Sequence, residues 1–333
     1  MNHATRRRTL ALTLTAAAAL WSMAAPLAAH AADAPYPSQP VTFVVPFPPG
    51  AITDNIARLL AGELSAAWKV PVLVENRPGA SGMIGTGQVA RAAKDGYTAL
   101  FTITTHVQMP ALATKMPYDA VRDFVPVTQV ALSRSLLAVG PGFAATDMKD
   151  FIAKVKAAPG KYSYGSYGTG STGHIVGELF KKQAGVDLVH VPYKGGAPLL
   201  NDLLAGHIQI AIIDAGTSTP YLKAGKYRGL GIIGTKRAPV FPDIPTFGEL
   251  GLEGFEPYAW MGMLMPAGVP KERVDRMSSE LARIIARPDI NKKLQELNLE
   301  PVGSNSDEFA EQLRRDAVTW KKVIELGNIR LDP

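Results

Sequence analysis

The chain of 333 residues contains no cysteine. Disulfides, thiolate metal sites and a cysteine nucleophile are thereby excluded. Charge is also scarce: 19% of residues are charged, 35 Lys and Arg against 29 Asp and Glu, for a net +6. Three of those positive charges, Arg6, Arg7 and Arg8, stand in an opening segment without an acid, so +6 less 3 leaves +3 for the remainder. On a chain this long, that is no electrostatic case for nucleic-acid binding. Metal-ligand spacing is missing too. His106, His174, His190 and His207 stand apart, and neither an H-E-x-x-H helix nor a G-x-x-x-x-G-K-[ST] phosphate loop occurs. No metal site and no cofactor are expected. Beyond the opening residues, no apolar run approaches the roughly 18 residues of a membrane helix. What is abundant is apolar side chain, 47%, with 31 Gly and 26 Pro. That is a folded chain with many tight turns, long enough for one large or two medium domains.

Residues 1–31 read as a signal peptide. A basic start ending at Arg8 precedes an Ala- and Leu-rich stretch over 10–20, and Ala29-His30-Ala31 offers the small-x-small pattern of a cleavage site. Cleavage near Ala31 makes the mature protein soluble and exported. Residues 9–29 are long enough to span a membrane, but Ala and Thr dilute their hydrophobicity and Pro26 interrupts them. No cysteine follows to carry a lipid. Arg6-Arg7 leaves Sec and twin-arginine export both open.

The rest alternates short β-branched runs with amphipathic stretches. Strands are expected at 41–46, 72–75, 98–102, 162–165, 188–191, 208–213 and 228–233. Helices are expected at 52–68, 84–93, 151–156, 175–183 and 197–204. Such alternation predicts an α/β fold with parallel sheets and crossover helices. The last 60 residues instead predict two helices, 271–286 and 306–325, with no strand between. Extended runs at 124–139 and 256–266 read as two crossings between lobes. The first lobe is then 32–134 plus 259–333, the second 135–258, with a ligand cleft between them.

Three Gly-rich turns each follow a strand and open a helix: Pro46-Phe47-Pro48-Pro49-Gly50-Ala51 before Asp54, Pro78-Gly79-Ala80-Ser81-Gly82, and Gly165-Ser166-Tyr167-Gly168-Thr169-Gly170-Ser171-Thr172-Gly173-His174. A helix N-terminus presents unpaired N–H groups and about half a positive charge, which suits an anion. Glycine admits close approach, and Ser or Thr adds donors. The candidate ligand-binding residues are therefore Phe47, Pro48, Gly50, Ala51, Asp54, Ser81, Ser166, Gly168, Thr169, Gly170, Ser171 and His174. Thr104, Thr105, His106, Tyr193, Lys194 and Asp214, at other strand ends, join them. Asp54 either complements its helix dipole or shapes the first turn by bonding its amides. Lys194 either pairs with a substrate carboxylate or stays solvated. Arg134, at the first crossing, is a further candidate to reach a ligand, and Trp260 reads as hinge packing rather than a ligand platform. The stretch 168–173 matches the dinucleotide pattern G-x-G-x-x-G, but no acid ends the next strand, where Pro192-Tyr193-Lys194 stands. Neither Ser166 nor Ser171 sits in a G-x-S-x-G elbow, so a hydrolase using this loop is a minor alternative.

These residues carry a resemblance. Pro46 to Ala51 with Asp54, Glu75-Asn76-Arg77-Pro78-Gly79-Ala80, Gly170-Ser171-Thr172-Gly173-His174, Val191-Pro192-Tyr193-Lys194-Gly195, Phe241-Pro242-Asp243-Ile244-Pro245-Thr246 and Pro266-Ala267-Gly268-Val269-Pro270 resemble, in order, the Bug family of periplasmic solute receptors. The family comprises the extracytoplasmic receptors of tripartite tricarboxylate transporters. The resemblance implies a type II periplasmic-binding-protein fold that closes like a flytrap on a small organic acid. It implies a non-enzymatic role, delivery to membrane subunits as partners, and a periplasmic location. The implied grip comes from residues 47–51 on one side and 166–171 on the other. A sensory adaptor for a signalling receptor is the alternative. One departure stands out: relatives usually have Gly-Gly where this chain has Gly50-Ala51, so a Cβ there is expected to restrict positive φ or crowd bridging waters. Relatives also often carry an acid where Gln209 stands, a position assigned no role.

Overall fold

The computed structural model describes residues 35–331, and the expected signal peptide with its cleavage point near Ala31 lies outside them. The chain first builds β1 (Val41–Val45), α1 (Ile52–Trp68), β2 (Val72–Asn76), α2 (Met83–Ala90), β3 (Thr98–Ile103), α3 (Thr105–Leu112) and β4 (Phe124–Ser133). It continues through β5 (Ser135–Val139), α4 (Met148–Lys156), β6 (Ser163–Ser166), α5 (Thr172–Ala184), β7 (Val189–Pro192), α6 (Gly196–Ala205), β8 (Ile210–Asp214), α7 (Ala215–Lys223) and β9 (Arg228–Ile232). It closes with β10 (Ala259–Pro266), α8 (Lys271–Ala286), α9 (Pro288–Glu296), β11 (Glu300–Pro301) and α10 (Ser306–Gly327).

The strands form two sheets, one of order β11-β4-β10-β3-β1-β2 and one of order β7-β6-β8-β5-β9. β1 is Val-Thr-Phe-Val-Val between two parallel neighbours, and four of its five side chains are buried. A central strand covered on both faces needs such a run. The α1 helix buries Ile56, Ala57, Leu60, Ala61 and Leu64 on one stripe, and ends at Lys69, whose left-handed φ of 59° lets its N–H reach Ser65 O.

Alternation predicted wholly parallel sheets, and the structure is mixed. β10 runs antiparallel to both β3 and β4, and β5 to both β8 and β9. The cause is the crossing. β4 ends at Ser133 in the first sheet and β5 begins at Ser135 in the second, with Arg134 alone between them. β10 returns with Ala259 paired to Ser133, so it re-enters at the end where β4 left and must run the opposite way.

The C-terminal part differs from expectation in two ways. α9 and the two-residue β11 lie between α8 and α10; β11 pairs Glu300 with Leu132 and Pro301 with Ala131. Two residues show no periodicity to read. α8 lays Val274, Met277, Leu281 and Ile284 on the first sheet's core, against β4. α10 opens with an Asn305/Glu308 capping box and packs on β4 and α3, but also on α5 beside the second sheet.

Candidate functional site

The first turn is held by one carboxylate. Asp54 Oδ2 accepts the Gly50 N–H (2.9 Å) and Arg58 Nε (3.0 Å), and Oδ1 accepts Asn76 Nδ2 (2.9 Å). Asn76 Nδ2 also donates to Phe47 O (3.1 Å) and Arg58 donates to Asn76 Oδ1 (2.8 Å), which ties the turn to the end of β2. Burial pushes the Asp54 carboxyl up, but Arg58, the Gly50 N–H and Asn76 outweigh it and hold it below its ordinary value of 3.8. Of the two readings weighed for Asp54, shaping the turn is the one this geometry supports. The Gly50 amide is thereby spent inside the turn. Ala51, N-cap of α1, has φ −75° and ψ 165° and no side-chain cap bond. That conformation suits any residue, so the methyl at 51 strains nothing through φ, and the first-turn amides of α1 have no capping side chain.

The second turn is left-handed throughout: φ is 134° at Gly79, 47° at Ala80, 53° at Ser81 and 93° at Gly82. For Ala80 and Ser81 this costs roughly 1–2 kcal/mol each. It aims the Ser81 hydroxyl at the third turn, where it donates to Thr169 O at 2.7 Å.

The third turn is knitted internally. Ser171 caps α5 by accepting His174 N–H (3.3 Å), and its hydroxyl donates to Gly168 O (2.6 Å). Gly170 N–H donates to His174 Nδ1 (3.1 Å), so this amide too is engaged. Ser166 is buried, donates to Gly168 O (3.1 Å) and pairs with His190 Nε2 (2.8 Å). The His190 ring stacks on His174 at 4.1 Å and on Tyr164 at 4.9 Å. Burial first, then the charges of His174 and Lys181, lowers His190 to about 3, which keeps it neutral. The Ser166–His190 pair has a nucleophile-and-base spacing, but a fully buried hydroxyl already shared with Gly168 O is a structural one.

The remaining candidates divide. Tyr193 donates its hydroxyl to Asp202 (2.8 Å), and burial followed by Asp202 raises it to about 12. Lys194 is exposed beside Gly195, which opens α6 with no side-chain cap. Asp214 caps α7 through Thr217 N (2.7 Å) and Oγ1 (2.8 Å), and burial raises its carboxyl against those two donors. Thr104 and Thr105 are buried, and Thr104 Oγ1 accepts Trp260 N–H at 2.6 Å. His106 is buried between Tyr118 and Phe124, with Nε2 2.7 Å from Ala120 O, and burial lowers it to about 4. It serves the core. Arg134 faces its neighbours: it donates to Lys236 O (2.6 Å) and Glu300 (3.1 Å) and lies 4.6 Å from the Tyr258 ring centre. Trp260 is buried, and its Nε1 donates to Asp316 at 2.8 Å.

The strand-end turns of the two sheets close into a ring of contacts. A Cβ on Gly82 would lie 3.4 Å from the Phe47 ring. Ser81 bonds Thr169 O. A Cβ on Gly168 would lie 3.7 Å from Tyr193 O, one on Gly196 3.2 Å from Asp214, and one on Gly216 2.9 Å from Ile52 at the start of α1. The ring brings together the three turns, Tyr193 and Asp214 named as candidates above; Arg58, Gln108, Ile52 and Gly216 were not among those candidates. Gln108 is fully buried and pairs with Thr172 Oγ1 at 3.1 Å, between α3 and α5. No spacing signals a contact formed between distant halves. Among the described residues, no group of three or more His, Asp or Glu is placed to hold a metal.

The family described as tripartite tricarboxylate transporter family receptor matches residues 56–329. The chain belongs to that family. It is 36% identical over 290 residues to a UPF0065 protein in the tcbD-tcbE intergenic region of Pseudomonas sp. strain P51, covering 87% of this chain and 86% of that one. It is 30% identical over 311 residues to protein BugT of Bordetella pertussis, covering 93% and 94%. Among solved structures it resembles R. palustris Rpa4515 with adipate (TM-score 0.84, 34% identity) and the periplasmic binding protein BugD (0.82, 32%), covering 89% of this chain and all of each. MatC from Rhodopseudomonas palustris with bound malate is similar as well (TM-score 0.81, 30% identity, covering 87% of this chain and all of that one). The two sheets are thus the two lobes of a periplasmic-binding-protein fold, and this is a receptor of the Bug type.

Proposed function

We propose that the chain is a periplasmic receptor that captures a small organic acid inside the ring of turns and presents its closed form to the membrane subunits of a tripartite tricarboxylate transporter. The observation that carries the reading is the ring itself. It joins the uncapped N-termini of α1 and α6 to the Gly-Ser-Thr turn of the second lobe. Helix starts without a capping side chain offer N–H groups and a positive field to a carboxylate. The start of α7 is different, because the Asp214 carboxyl already caps it through Thr217, so an anion sits toward α1, α6 and the Thr169 amide. The amides of Gly50 and Gly170 are spent on Asp54 and His174 and support the site from behind. Adipate and malate, the acids held by two relatives, are both dicarboxylates, and a dicarboxylate is the ligand class we assign. Lys194, exposed at the start of α6, is placed to meet the second carboxylate. Binding leads to no reaction: Ser166 is locked in its turn, and the acid leaves as it came. Residues 32–134 with 259–333 and residues 135–258 form the two lobes, hinged near Arg134 and Tyr258. Export follows cleavage near Ala31.

The test is a thermal-shift screen of malate, adipate, citrate, acidic amino acids and aromatic acids on the purified protein. A bound acid at a hundred times its dissociation constant adds about 2.7 kcal/mol of stability. A screen in which no acid moves the melting temperature, while acyl or phosphoryl substrates turn over, sinks the reading.

A further inference from the structure

Gly216 stands second in α7, where its φ is outside the left-handed region. Nothing in its backbone calls for glycine, and alanine there favours the helix by roughly 0.5–1 kcal/mol. The demand comes from outside. A Cβ at 216 would lie 2.2 Å from Leu297 O and 2.9 Å from Ile52 Cδ1. Both belong to the first lobe: Ile52 and Leu297 pack on its core, whereas Ala215, beside Gly216, is buried in the core of the second. Among the described helical glycines whose Cβ would meet an atom within 3 Å, Gly85, Gly173, Gly177 and Gly327 are obstructed by their own lobe, and Gly216 by the opposite one. A backbone carbonyl cannot rotate aside as the tip of a flexible side chain does. The same seam is pinned elsewhere by Ser81 on Thr169 O and by Gln108 on Thr172.

We propose that the missing side chain at 216 gauges how far the lobes close, so that residue 216 sets ligand affinity without touching ligand. The inference rests on the receptor reading above and adds a positioning residue to it. A methyl at 216 leaves each lobe free to fold but wedges the seam open. The closed, binding-competent fraction falls, and apparent affinity falls with it.

The experiment compares the wild-type protein with Gly216→Ala and Gly216→Val. The absence of native cysteine allows clean spin labelling at Ala66→Cys on α1 and Lys223→Cys on α7, both exposed. Inter-label distances are measured with and without malate or adipate, alongside affinity and acid-free melting. We expect Gly216→Ala to lengthen the distance and weaken binding by about tenfold. Gly216→Val does more, and neither lowers the acid-free melting temperature. Unchanged distance and affinity overturn the inference. So does a fall in acid-free melting, which would make 216 a folding position of the second lobe. If no acid of the wider screen binds the wild-type protein, the receptor reading is what fails, and the distances in acid-free protein still decide the seam.

Discussion

Asp54 shows how one side chain can make a turn. Its carboxylate gathers Gly50, Arg58 and Asn76, so Asp54→Ala strands a turn amide and half of an Asn amide at once. We expect a loss of about 1–3 kcal/mol by chemical denaturation, together with weaker acid binding, because the turn before α1 is no longer held. The pH dependence has a definite sign. The folded carboxyl titrates below its ordinary 3.8, so its contribution is complete above that value and disappears as pH falls through the lower, folded one. The stability gap between wild type and Asp54→Ala should therefore shrink in acid, and a constant gap would show that charge is not what holds the turn. Asp54 was half legible in sequence: an acid in a first helical turn either complements the dipole or bonds the turn before it, and the bonds to Gly50 and Asn76 are what choose the second. His106 was not: Thr104-Thr105-His106 follows a strand end just as the other candidates do, and only the rotation of α3 decides that the imidazole meets Tyr118 and Phe124.

At the scale of elements, strands and amphipathic helices could be read from their periods, and the pieces that escaped had no period to show. α3 is Thr-His-Val-Gln-Met-Pro-Ala-Leu, buried on nearly every side and interrupted by Pro110, so no polar face marks it as a helix. The ring of turns was half legible, since each turn has its own glycines, while the partner of each turn lies more than 80 residues away in cases such as Ser81 and Thr169. The pairing of β10 with α10 escaped for the same reason. Trp260 on the returning strand donates to Asp316, and Gln312 donates to its other oxygen at 2.8 Å. Burial, opposed by those two donors and by Arg315, raises Asp316 to about 6. Its folded value lies above the ordinary 3.8, so the native state holds this proton more tightly. The resulting stabilisation is complete below pH 4 or so and is lost as pH climbs through about 6, a swing on the order of 2–3 kcal/mol. Asp316→Asn should flatten that part of the melting-temperature profile and be no less stable than wild type at neutral pH. A slope between pH 4 and 6 that survives the substitution assigns it to another group.

The two sheets each have a core of their own, and among the described residues they also share a third. A single cluster of buried side chains contains Val44 and Leu100 of the first sheet, Tyr164, Ile210 and Leu230 of the second, and Phe309, Leu313, Trp320, Val323 and Ile324 of α10. α10 packs on β4 and on α5, so its apolar face is buried against both lobes at once. Two lobes joined by crossing strands alone would be free to melt apart, each around its own interior. Here neither can lose its structure without exposing the face of α10 that the other also needs. We therefore expect one calorimetric transition with equal calorimetric and van't Hoff enthalpies. Trp320→Ala removes the largest side chain of that face and should cost about 3–5 kcal/mol while keeping a single transition. An acid bound in the ring should move that whole transition rather than split off a stabilised half. Two resolved transitions in the wild-type protein, or an acid that shifts only one of them, would mean that α10 lies on the lobes without coupling them, and that closing the ring is a local event.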